Sequence, residues 1–202
     1  MNNFPAFFEN NEYLIDEKVA FLKFTNAYKV YNAEGEQIGN IQQKMPAALK
    51  LLSLVLNKGM FPFTLHIKDM DDKVLATIKR GWTFWMSKVK IYDDQETLIA
   101  QINQKFKVFT SKFNILDAEA RPLATINGSW SAWNFQILDN DNKPVGNITK
   151  QWQGGVKGML REAFTSADKY AVSIDPEVKE DVKKVAIVST AITIDMVMHE
   201  NK

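Results

Sequence analysis

The sequence predicts a mainly β protein, a closed antiparallel barrel of about twelve strands around a hydrophobic C-terminal helix. Three observations lead there. A hairpin-sized unit recurs five times between residues 28 and 148. Each copy carries a Gly or Ala on its predicted inner face, so the enclosed space needs a filler if it is to pack at ordinary interior density. Residues 178–200 provide one: the segment begins polar with Glu180, Asp181, Lys183 and Lys184, then turns apolar on nearly every side.

Along the chain, residues 1–12 lack the basic start and long apolar run of a secretion signal. Lys18 to Phe24 is the first predicted strand. Then come the five units. The first strand of each reads aromatic or aliphatic, any residue, Val or Ile, any residue, Asn or Asp, and begins at Tyr28, Leu65, Val89, Phe113 and Phe135. The second strand reads aliphatic, small, polar, Ile and ends at Ile41, Ile78, Ile102, Ile126 and Ile148. In every copy the Asn or Asp precedes the last Ile by 9 residues, with turn-forming residues between them. Period-two alternation puts Phe63, Leu65 and Ile67 on one face and Thr64, His66 and Lys68 on the other. The units start 37, 24, 24 and 22 residues apart. The long first interval holds an insertion at 46–58, where Ala47 to Leu56 reads as a short helix stopped by Asn57 to Gly59. Lys169 to Ile174 is the twelfth strand, and the central helix spans 178–200.

Composition narrows the function classes. The 202 residues, 46% hydrophobic and 24% charged, suit one domain over 1–202 with a proper core. Twenty-five Lys and Arg against 24 Asp and Glu give a net charge of +1, so any electrostatic role must come from segregated charge. The absence of Cys excludes disulfides, thiolate metal sites and a Cys nucleophile, and fits the cytoplasm. The most apolar run, Val185 to Met198, has 14 residues and contains Asp195, while a bilayer span needs ~20. No transmembrane helix is expected.

In an up-and-down meander the tight turns share one end and the connections between hairpins share the other. The turn end gathers acids such as Asp69, Asp93, Asp117 and Asp139. The connection end gathers Lys79, Arg80, Lys88, Lys105, Lys112 and Lys150, and all five tryptophans, Trp82, Trp85, Trp130, Trp133 and Trp152. Trp beside Lys suits a membrane interface with anionic phospholipid. It also suits single-stranded nucleic acid or a protein partner, while the structural alternative is an aromatic plug with a solvated basic rim.

The last hairpin and the tail contain Val145-Gly146-Asn147-Ile148-Thr149-Lys150-Gln151-Trp152, then Arg161-Glu162-Ala163-Phe164-Thr165-Ser166-Ala167-Asp168, then Ile194-Asp195 leading to Glu200. With these residues the sequence resembles the phospholipid scramblase family and its relatives in the LURP-one-related and Tubby-like barrel group. The resemblance implies a twelve-stranded barrel around a C-terminal helix, and calcium-dependent movement of phospholipid between leaflets. It also implies a calcium-binding acidic segment before the last helix, with Asp at the positions of Ser166 and Asp168. Here the first is Ser, which leaves Asp168, with Asp175 and Glu177 further on, as calcium candidates, whereas calcium takes six to eight oxygens.

No catalytic constellation stands out. His66 and His199 have no metal-ligand spacing, and there is no nucleophile elbow, phosphate-cradling loop or HExxH helix. Asp195 within the apolar helix must be paired or neutralised, either as a structural cap or ion pair at the barrel mouth or as part of a polar path. The expectation is a cytoplasmic module, peripheral on the inner face of a membrane, that binds phospholipid without covalent catalysis and without a cofactor.

Overall fold

The computed structural model describes residues 5–19, 26–44, 61–82, 88–106, 110–129, 132–150 and 169–200. The insertion at 46–58 lies outside them. Twelve strands close into one antiparallel barrel in which each pairs with its neighbours in sequence and the first pairs with the last. They are β1 (Glu12–Val19), β2 (Asn26–Tyr31), β3 (Gln37–Lys44), β4 (Phe63–Lys68), β5 (Val74–Arg80), β6 (Lys88–Asp93), β7 (Leu98–Phe106), β8 (Thr110–Asp117), β9 (Pro122–Ser129), β10 (Asn134–Leu138), β11 (Pro144–Thr149) and β12 (Lys169–Ile174). A 3-10 turn at Ala6–Glu9 precedes the barrel, and the helix α1 (Asp181–Glu200) follows it.

The five repeats are five copies of one hairpin in one register. Val30, Ile67, Ile91, Ile115 and Ile137 stand opposite the small residues Gly39, Ala76, Ala100, Ala124 and Gly146. Each turn is built the same way. The side-chain oxygen Oδ1 of Asn32, Asp69, Asp93, Asp117 and Asp139 accepts the N–H of the residue four further on at 2.7–2.9 Å. The backbone carbonyl of the same residue accepts the N–H three further on. That third residue takes the left-handed conformation, with φ of 84° at Gly35 and 60–65° at Asp72, Glu96, Ala120 and Asn142.

Just before each small residue the register shifts, leaving Ile38, Leu75, Ile99, Leu123 and Val145 as the extra residue of a β-bulge. A bulge lets two successive residues approach the core. Leu75 and Val145 are buried beside inward Ala76 and half-buried Gly146, and Ile38, Ile99 and Leu123 pack partly against the same core.

Helix α1 fills the lumen. Every residue from Lys183 to Val197 is buried. Ile187, Ile192 and Val197, whose directions around the helix axis fall at about 0°, 140° and 280°, are 0%, 0% and 4% exposed. The helix touches β7, β8 and β9 and also β12, nearly opposite β7 in the ring. Its apolar side chains meet the inward Ile, Phe and Tyr residues in one continuous core. Ser189, Thr190 and Thr193 are buried with it, and the two threonine hydroxyls donate to the Ala186 and Ser189 carbonyls one turn back.

The entry of α1 is fixed at the turn end. Asp175 closes β12 with a related turn: its Oδ1 accepts the Glu177 N–H and its carbonyl the Val178 N–H, and the helix starts at Asp181 rather than 178. The N-terminal segment packs beside it. Phe7 and Phe8 are buried edge to face, and the Lys184 ammonium donates to the Glu9 carbonyl at 3.2 Å and to Asn11 Oδ1 at 2.8 Å. Gly39 leaves room for this plug, since a Cβ there would stand 2.2 Å from the Lys68 carbonyl oxygen and 3.0 Å from the Phe7 ring. The first strand also lies earlier than Lys18 to Phe24. Tyr13, Leu14 and Ile15 are all buried, and β1 pairs with β12 from Glu12↔Ser173 to Asp16↔Lys169.

Candidate functional site

The two ends of the barrel are chemically distinct. At the turn end the first carboxylate of each turn is committed to backbone N–H groups, so these acids are turn formers. Burial pushes the Asp117 carboxyl up, but the Arg121 N–H and guanidinium together hold it below the usual carboxylate range. Met70 is 58% exposed there, between Asp69 and Asp71.

At the connection end the described residues divide into an inner and an outer set. Arg80 continues the inward series of Ala76 and Ile78 and is 3% exposed; its guanidinium donates to the Phe61 carbonyl at 2.7 Å and lies 4.4 Å from the Phe63 ring centre. Trp133, at φ 45°, is half-buried against Tyr170 and Phe135, with ring centres 5.4 and 6.1 Å away, and the Lys150 ammonium sits 4.3 Å above its indole. Arg80, Trp133 and Lys150 therefore help to close the barrel mouth.

The outer set begins with Trp82. It is 51% exposed just past the end of β5 and rests on Phe61 at a ring separation of 5.3 Å. Lys79 points outward and folds over the Tyr92 ring at 4.8 Å toward Glu96 at 3.8 Å. Beside it on β6, Lys88 and Lys90 are exposed while Val89 and Ile91 between and after them are buried. Strand alternation alone locates this pair, although the lysines selected from the sequence for lipid contact were Lys79, Lys105 and Lys150. Trp85, Trp130, Trp152 and the Lys105 side chain lie outside the described residues.

His66 lies on the same outer wall, with Nδ1 3.2 Å from Thr77 Oγ1. Burial, then Lys44, Lys68 and Lys79, hold its imidazole below the usual range, and Glu96 opposes them weakly.

Of the calcium candidates, Ser166 and Asp168 lie outside the described residues. Glu177 is exposed beyond the turn end of β12, whereas Lys169, the chain neighbour of Asp168, opens that strand at the connection end. Six residues of strand, about 20 Å, lie between. Among the described residues no group of three His, Asp or Glu could hold a metal. Asp195 is 1% exposed, four turns into α1 and so toward the connection end.

Comparison with known proteins gives the family of the chain. The chain is 22% identical over 191 residues to human phospholipid scramblase family member 5, covering 88% of this chain and 67% of that protein. It is 25% identical over 154 residues to human phospholipid scramblase 2, covering 69% and 50%. It is 21% identical over 183 residues to altered inheritance rate of mitochondria protein 25 of Saccharomyces cerevisiae, covering 78% and 55%. The chain thus spans about half to two thirds of the length of these relatives. No solved structure matches it. The family model described as Scramblase matches residues 14–201, from β1 through the whole of α1, and the chain belongs to the Scramblase family.

Proposed function

We propose that this chain is a peripheral phospholipid-binding barrel that meets a membrane with its connection end and performs no covalent catalysis. The observation that carries the reading is Trp82, a large aromatic 51% exposed beside the unshielded lysines of β6. An indole at headgroup depth with cations around it is the composition of a membrane-interface surface. Met70, the other large exposed hydrophobic among the described residues, is flanked by acids that an anionic leaflet repels.

The wall favours contact from the side of the membrane rather than insertion. Inward residues are mostly apolar and outward ones mostly polar, chiefly Lys, Asn, Gln and Thr, the reverse of a barrel that faces lipid. Among the described residues no helix is long and apolar enough to cross a bilayer. The names of the two human relatives support a lipid ligand, and they favour a second reading, phospholipid scrambling.

Sedimentation with phosphatidylcholine vesicles, with and without phosphatidylserine and calcium, tests the reading. Calcium-independent binding to the anionic vesicles is expected; absence of binding to every vesicle would refute it. A dithionite leaflet assay on reconstituted protein separates binding from scrambling, and a calcium requirement would return attention to Ser166 and Asp168.

A further inference from the structure

Cations are distributed around the barrel unevenly. Strands β3–β8 hold Lys44, Lys68, Lys79, Arg80, Lys88, Lys90, Lys105 and Lys112, whereas β9–β11 hold none. The outward residues on those three strands are neutral, among them Asn127, Asn134, Gln136 and Asn147. The only acids in β3–β11 are Asp93 and Asp117, both at the turn end.

The register concentrates the basic side further. Lys44, Thr64, Lys79 and Lys90 form one row across β3–β6, so Lys79 and Lys90 are direct neighbours, and Lys105 stands opposite Lys112 on β7 and β8. Like charges opposite one another in a sheet destabilise it. Lys79 relieves its contact by turning toward Glu96, but Lys44, Lys88, Lys90 and Lys112 are exposed with no acidic partner among the described residues. An external anion at this face would offset that repulsion.

We propose that an anionic bilayer is met by one side of the barrel, the connection-end half of the outer wall of β3–β8 centred on Lys88 and Lys90, so that the barrel docks tilted rather than upright. The proposal rests on the lipid reading above and adds an orientation to it. Two features favour a bilayer as the occupant. The basic row crosses three strand spacings, about 14 Å, and Lys112 on β8 extends the basic side beyond it, which matches an extended charged surface better than a single phosphate. It also continues at the end of β5 into exposed Trp82, which provides an apolar foothold beside the cations.

The test uses pairs of substitutions that change net charge equally on opposite sides. K88Q/K90Q removes charge from the proposed face, and N134E/Q136E adds the opposite charge to exposed positions of β10. With phosphatidylserine-containing vesicles, K88Q/K90Q is expected to weaken binding roughly 30-fold, because each Lys near an anionic leaflet contributes about 1 kcal/mol. N134E/Q136E is expected to change it less than about threefold, because screening mutes charges held away from the surface. K44Q/K112Q, at the flanks of the row, supplies a second pair should the first alter folding by circular dichroism. Equal losses from the two sides would overturn the tilt and leave the lipid reading standing. No binding by the unsubstituted protein would overturn both. Lysine-dependent retention of a single-stranded oligonucleotide, with vesicle binding unaffected, would assign the face to nucleic acid instead.

Discussion

Two features decide each hairpin turn, a side-chain oxygen that accepts one or two backbone N–H groups and a residue three positions later that must reach positive φ. Asp93 and Asp94 separate the first role from general acidity. Asp93 Oδ1 accepts from Gln95 and Thr97, whereas Asp94 only faces Lys73 across 3.5 Å of open surface. Asp93→Ala is expected to lower stability by about 1–2 kcal/mol, and Asp94→Ala by less than about 0.5, in urea denaturation. Ala120 tests the second role: at φ 65° it occupies the place that Gly35 fills in the first hairpin. Ala120→Gly is expected to raise stability by about 0.5 kcal/mol, the relief of left-handed strain outweighing the added freedom of the unfolded chain. His66 adds a pH dependence. Because its folded pKa lies below its unfolded value, the unfolded chain takes up this proton first, so its contribution is full above the ordinary His range and lost as pH falls through it. His66→Gln is expected to flatten that part of the stability profile over about pH 5.5 to 7.5, relative to the unsubstituted protein.

At the scale of elements, the filled lumen is the claim with the sharpest consequences. A helix resting on a barrel has one face that tolerates truncation, and an enclosed helix has none. Ile187→Ala, Ile192→Ala and Val197→Ala, which sample three directions around α1, are each expected to cost more than about 1 kcal/mol in denaturant unfolding. The repeat and the helix were legible in the sequence because local rules set both: alternation with Asn or Asp turns for the hairpins, and apolar side chains all round for the helix. The bulges were not. An aliphatic followed by a small residue, as in Leu75-Ala76, reads as one outward and one inward position until a register shift lets both approach the core. Strand β1 was misplaced because Tyr13, Leu14 and Ile15 are all buried and so break the alternation that marks a half-buried strand.

For the whole molecule, a net charge of +1 conceals a separation of acidic turns from a basic wall. The separation of the ends could be read from the repeat, since it fixes which residues are turns and which are connections. The division of the basic end could not, because it depends on side-chain direction: Arg80 and Trp133 turn into the mouth, whereas Trp82, Lys88 and Lys90 remain outside. The barrel's two mouths are closed by different means, a Phe7 and Phe8 plug pinned by Lys184 at one and an aromatic and Arg80 cluster at the other. The lumen is filled by α1, which leaves the outer surface for the proposed contact with lipid.

Hydrogen–deuterium exchange on and off phosphatidylserine-containing vesicles tests that claim most directly. Protection on binding is expected at the connection end, from Gly81 and Trp82 to Lys88, with exchange unchanged at the turns following Asp69, Asp93, Asp117 and Asp139. Protection of those turns, with the Trp82 region unchanged, would contradict it.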